Sequence, residues 1–178
     1  MLRISDLERA VRGLSVHRAS APRGVNFKEI SALLGVNLPS DFRELADGYP
    51  TFEIDGFLRI PLPNPGRERD FVGGIFRELE VLRDLEEAEM TEGYVVHPDP
   101  GGLIPWSESL SGDVFYWRVS SMNPDDWPVV VNSRSHEWWE FSGGAVAFLV
   151  GLVDGSIERK GLPANVLGSD PKVRVYVT

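Results

Sequence analysis

The sequence predicts an α+β fold in one domain: an antiparallel or mixed β-sheet packed against several helices. Three observations carry this. Apolar residues recur at helical spacing as far as Leu85, and short alternating or apolar runs replace them from Tyr94 onward. Those strand candidates follow one another without the regular βαβ alternation of a parallel nucleotide-binding fold. The chain has 178 residues, 42% hydrophobic and 25% charged, which suits a single globular core.

The first helix is expected after Ser5, with Glu8 completing a capping-box spacing and Leu7, Val11 and Leu14 forming the apolar stripe. Residues 17–25 contain Pro22 and Gly24 and read as a loop. Asn26 and Glu29 cap a second helix whose stripe is Phe27, Ile30, Leu33 and Leu34, with Gly35 suited to its C-terminal end. Ser40 can cap a third through Asp47, burying Phe42, Leu45 and Ala46. Residues 56–60 read as a short strand stopped by Pro61 and Pro63. Phe71, Ile75, Leu79, Leu82 and Leu85 then mark a longer helix, weakened near its start by Gly73 and Gly74 at ~1 kcal/mol each relative to Ala.

The second half is β-rich. Tyr94–Val96 and Leu103-Ile104 flank a turn. Val114–Val119 alternates, with Phe115, Trp117 and Val119 on one face. Val129–Val131 suits a central strand, and Glu137–Phe141 is a further candidate. Ser142 can cap a buried helix through Val153. Val173, Val175 and Val177 alternate with Arg174, Tyr176 and Thr178 in a last strand. No internal repeat or separating linker is present.

Composition excludes several chemistries. With no Cys there is no disulfide framework, zinc ribbon, iron–sulfur site or thiol nucleophile. The N-terminal stretch is charged throughout and lacks the apolar region of a secretory signal. The longest apolar run, Ala145–Val150, is far shorter than the ~20 residues that span a bilayer. A soluble, cytoplasmic protein with no membrane partner is expected. The formal charge of -9 disfavours direct nucleic-acid binding and favours basic partners.

Catalytic fingerprints are absent. There is no phosphate loop, no GxGxxG turn and no GxSxG elbow. His136-Glu137-Trp138-Trp139-Glu140 begins like a zincin helix but lacks the second His. His97, Asp99 and Asp113 could form a small metal or acid–base cluster, but a Pro/Gly turn in which Asp bonds its own backbone is the favoured reading of the first two. Adjacent carboxylates such as Glu86-Glu87 and Asp125-Asp126 read as solvated faces rather than a glycosidase pair. No catalytic residue, cofactor or metal ligand is expected. The five Trp all lie between Trp106 and Trp139. Trp117 reads as core. Trp127 and Trp138, next to Asp126 and Glu137, read either as rim of the core or as contact anchors. A sugar-stacking platform would use the same residues.

Five motifs follow one another along the chain: Leu33–Leu45 ("LG…LP.D[FY]R.L"), Gly56-Phe57-Leu58, Gly102–Trp106 with Ser111–Trp117 ("lipW…nGD..yW", Ser111 standing where Asn is common), Asp126–Val131 ("WpVvv"), and Glu140-Phe141 with Phe148–Gly151 ("eF…FL.g"). In this order they resemble the opening, first core strand, hairpin, following strand and close of the SUKH superfamily of cell-wall regulators and bacterial immunity proteins. The resemblance covers residues 33–155 and leaves 156–178 as a C-terminal extension. These motif residues read as scaffold, Asp113 bonding turn amides among them.

The resemblance implies a non-enzymatic protein-binding module that neutralises a cognate toxin, a basic nuclease among the candidates. A regulatory or scaffold role with an endogenous partner is the alternative, and a carbohydrate-binding or hydrolytic protein using the Trp and carboxylates is the third. From charge and aromaticity, the expected contact residues are Glu86, Glu87 and Glu89 on the acidic helix, with Asp125, Asp126, Trp127, Glu137 and Trp138 at strand edges.

Overall fold

In the computed structural model, which describes residues 3–177, the strand register assigns every strand residue to one of two sheet faces. The strands are β1 (Phe52–Ile54), β2 (Leu58–Ile60), β3 (Leu103–Ser109), β4 (Val114–Arg118), β5 (Val129–Asn132), β6 (Trp138–Phe141) and β7 (Val173–Val175). They form one antiparallel sheet in the order β6-β5-β4-β3-β2-β1-β7. Six strands therefore run as a meander, and β7 returns to the outer edge of β1. The fold is α+β, as expected.

One face carries Phe52, Ile54, Leu58, Ile60, Phe115, Trp117, Val129 and Val131, all fully buried. Helices α1 (Ile4–Ala10), α3 (Ser40–Gly48) and α5 (Ala145–Asp154) pack on one another and close this core. Helix α5 is apolar nearly all round and is buried along its length. The opposite face carries Glu53, Arg59, Glu108, Tyr116, Arg118, Val130, Trp138 and Glu140. Helices α2 (Phe27–Leu34) and α4 (Glu68–Glu87) pack on each other, and α4 packs on β3.

A register shift between Pro105 and Ser107 makes Trp106 the extra residue of a β-bulge. Trp106 keeps the face that Ile104 shares with Trp117, where its ring stacks on Trp117 at 5.6 Å and meets Phe42 and Phe148 edge-on, and the shift turns Ser107 to that face as well, opposite Phe115.

Local signals placed α2 correctly. The Asn26 side chain accepts the Glu29 N–H at 3.2 Å, and Gly35 ends the helix at φ 78°, where a Cβ would be strained. Elsewhere tertiary contacts replace the expected caps. Helix α1 starts after Arg3, whose N–H is taken by Asp6 at 2.7 Å, because Glu8 is engaged by Tyr49 and Arg18. Val11 and Leu14 are buried beyond its end. Pro39, not Ser40, occupies the N-cap of α3, and Gly144, not Ser142, that of α5.

Two strand readings also change, and the alternation expected in β4 holds with both of its faces buried. β1 was not anticipated: at three residues, with Glu53 between two apolar neighbours, it is too short for a period to show. Tyr94–Val96 forms no strand and makes only a single parallel bridge, Val96 to Leu103. In β4, Tyr116 is buried as well as Phe115 and Trp117, since both faces of the sheet centre are covered. The alternation expected at the C-terminus is seen in β7, while Thr178 lies outside the described residues. The C-terminal extension is tied to the body. Asp55 accepts the N–H groups of Gly168 (2.9 Å) and Lys172 (2.6 Å), and Arg159 donates to the Leu152 carbonyl at 2.8 Å.

Candidate protein-interaction surface

Helix α4 ends with its charges reversed relative to its dipole. A helix C-terminus carries a partial negative charge and favours Lys, Arg or His. The last turn of α4 holds no basic residue and instead presents Glu86 and Glu87. The chain then turns through Glu89 (φ 58°) and Glu92 (φ 51°), left-handed conformations that cost roughly 1–2 kcal/mol for residues with a Cβ. The turn is closed by Met90, whose N–H donates to the Leu85 carbonyl at 2.9 Å. Met90 is 41% exposed.

The fold lays β6 beside this acidic turn. Trp138, on the face opposite the main core, donates its indole N–H to the Met90 carbonyl at 3.1 Å. Its ring stacks on Tyr116 at 6.0 Å and meets Tyr94 at 5.2 Å. Two residues along the strand, Glu140 lies on the same face. Arg118 reaches across β5 to it with a two-pronged ion pair, Nε to Oε1 at 2.7 Å and Nη2 to Oε2 at 3.0 Å, each side chain 34% exposed. The Tyr94 hydroxyl donates to the same carboxylate at 3.2 Å. Burial, followed by the charge of Glu140, pushes the Tyr94 phenol up to about 12, and the bond to Glu140 holds the Arg118 guanidinium above its ordinary value.

The eight expected contact residues do not form one patch. Glu86, Glu87, Glu89 and Trp138 gather at the α4–β6 junction. Glu137 is exposed just before β6, its carboxylate near Gly161. Asp126 is exposed, but Asp125 is half-buried and caps α3 from a distance, accepting the Ser40 N–H at 2.6 Å and the Ser40 hydroxyl at 3.0 Å. Trp127 is only 3% exposed and donates its indole N–H to the Ser121 carbonyl at 2.8 Å. It sits in the core, not at a strand edge, between the helical turn Pro124–Asp126 and the start of β5. Met90, Tyr94, Arg118 and Glu140 join the surface without having been singled out. The Arg118–Glu140 pair spans 22 residues and two strand steps, so only the register brings it together.

The titratable groups that suggested chemistry are spent on structure. His97 is buried with Nε2 2.7 Å from the Leu34 carbonyl. His136 lies in the β5–β6 turn at φ 58°, not in a strand. Asp113 is fully buried and accepts the Arg134 N–H at 2.7 Å and the Ser109 hydroxyl. A cleft of about 370 Å³ is lined by Asp41, Asp125, Trp127 and Phe141, and both carboxylates in it are engaged by backbone N–H groups. Among the described residues no group of three or more His, Asp or Glu is placed to hold a metal, and no helix is long and apolar enough to cross a membrane. The α4–β6 junction offers carboxylates, ring faces and strand-edge amides, which are recognition groups. No protein-family model, curated protein or solved structure matches this chain.

Proposed function

We propose that this chain is a non-enzymatic, cytoplasmic protein-binding module of the SUKH kind. In this reading it is an immunity protein that neutralises a cognate bacterial toxin by covering it, and the basic surface of that toxin docks at the α4–β6 junction. One observation carries the reading most directly. Glu86 and Glu87 stand at the helix end where negative charge is least favourable, beside a half-buried Trp138 and an exposed Met90. A cationic partner would relieve that unfavourable placement while the aromatic and thioether side chains supply buried apolar contact. The overall charge of -9 favours encounter with a basic partner.

The motif residues that carry the resemblance fit this reading as scaffold, with Asp113 and Trp117 buried and Pro39 at a helix start. The test is co-expression with the products of the genes that flank this one, a toxin among them being the partner this reading requires. Rescue, with a stable complex on size exclusion, is the expected result. Binding to an endogenous protein without rescue moves the role to regulation. Turnover of a small substrate with neither rescue nor binding refutes the reading.

A further inference from the structure

The outer edge of β6 is an open hydrogen-bonding ladder. The Ser133 N–H donates to the Glu137 carbonyl at 3.0 Å, so positions 133 and 137 form a hydrogen-bonded pair. By the two-residue period of an antiparallel ladder, Val131 with Trp139 and Val129 with Phe141 are the next such pairs. The backbone N–H and carbonyl groups of Trp138 and Glu140 therefore point away from the sheet. Among the described residues no backbone group pairs with them. Native edges are usually blunted by Pro, Lys or a bulge. β6 has none of these, and three of its four residues, Trp138, Trp139 and Phe141, are aromatic.

We propose that β6 accepts an extended segment of a basic partner as an eighth strand, with Lys or Arg at alternate positions facing Trp138 and Glu140. This rests on the protein-binding reading above and names its mode. The backbone ladder supplies affinity and alternate side chains supply selectivity, as in other strand-addition complexes. Charge selects the occupant. The segment's basic side chains would lie beside the Trp138 ring and toward Glu86, Glu87 and Glu89, combining cation–π and Coulombic attraction, while Glu140 stays paired with Arg118. A second copy of this chain carries the same charge of -9 and the same residues at this edge, so it brings no basic side chain to Trp138 or to the glutamates of α4. The other open edge, β7, is flanked by Lys172 and carries Arg174. Arg174 makes it the less favourable edge for the same segment.

The probe is a peptide of ~eight residues alternating Lys and Val, compared with one alternating Glu and Val. The Lys–Val peptide should shift the amide resonances of residues 138–141 and slow hydrogen exchange at Trp138 and Glu140, whereas the Glu–Val peptide should do neither. Glu140→Pro removes an outward N–H without touching the ladder to β5, and edge strands tolerate it. It should weaken binding about tenfold beyond the loss in Glu140→Ala, which controls for the charge and for the Arg118 pair. Shifts confined to α4 or to β7, or equal losses in the Pro and Ala variants, overturn the proposal. The exchange measurement on the unaltered chain decides the matter should Glu140→Pro fail to fold. Toxin rescue that survives Glu140→Pro in a folded protein removes strand addition and leaves the immunity reading standing. Peptide capture at β6 without any neighbouring toxin partner does the reverse.

Discussion

Asp41 in α3 caps α5: its carboxylate accepts the Val146 N–H at 3.0 Å across 105 residues of chain, and the Phe42 N–H at 2.7 Å. Helix α5 lies in the core and has no side-chain cap of its own. A buried helix start left without acceptors is costly, so one carboxylate serves two helices. Gly144 makes this possible, since a Cβ there would fall 2.3 Å from the Asp41 carboxylate.

Asp41→Ala should lower stability by about 1–2 kcal/mol, the usual loss for a helix cap, and Gly144→Ala should be destabilising by displacing the same carboxylate. Asp41→Asn should retain much of the cap. Urea unfolding of the three variants measures the order.

The same residue gives a pH signature. Burial, ahead of the opposing backbone hydrogen bonds, raises the Asp41 carboxyl above its ordinary value of 3.8, and the charge of Asp125 adds to the rise. The folded state then holds its proton more tightly than the unfolded state. Its contribution to stability is fully present below about pH 4 and is lost as pH rises through the folded value. The stability of the unaltered protein relative to Asp41→Asn should therefore fall on going from about pH 4 to pH 7. A gap that widens in that direction contradicts the assignment.

Asp113→Ala should damage folding rather than recognition. The carboxylate is fully buried, and its loss orphans the Arg134 N–H and the Ser109 hydroxyl. A destabilisation of about 1–3 kcal/mol is expected, with partner affinity unchanged in the fraction that folds. Calorimetry paired with a binding titration separates the two effects.

Trp127 and Trp138 should behave oppositely. Trp127→Ala empties a core position and should cost about 3–5 kcal/mol of stability. Trp138→Ala should be milder in stability and mainly raise the dissociation rate of a bound partner. Equal dissociation rates for Trp138→Ala and the unaltered chain would remove Trp138 from the contact surface.

Replacing Glu86, Glu87 and Glu89 by Lys should raise the melting temperature slightly, since cations suit a helix C-terminus. The same change should slow association with a basic partner. Association to the unaltered protein should also slow as salt rises and the Debye length drops below ~8 Å. An on-rate indifferent to both salt and charge reversal would exclude steering by this face.

Half of the proposed surface can be read from residue type. Trp138 and the three glutamates stand out by residue type alone. Trp127 and Asp125 have the same chemical appearance, yet one is core and the other a helix cap, because residue type carries no information on which way the chain turns next.

What the sequence by itself determined is what acts within a few residues: the Asn26 and Gly35 ends of α2, the apolar stripe of α4, the alternation of β4 and β7, and hence the α+β class. Tertiary structure decided whatever depends on register. A bulge at Trp106 turned Ser107 to the core face, opposite Phe115. Asp41 and Asp125 capped helices far from them in sequence, and Arg118 met Glu140 across an intervening strand. Helix periods and caps are set by contacts three or four residues apart, whereas these pairings exist only after the meander has brought distant segments within hydrogen-bonding distance.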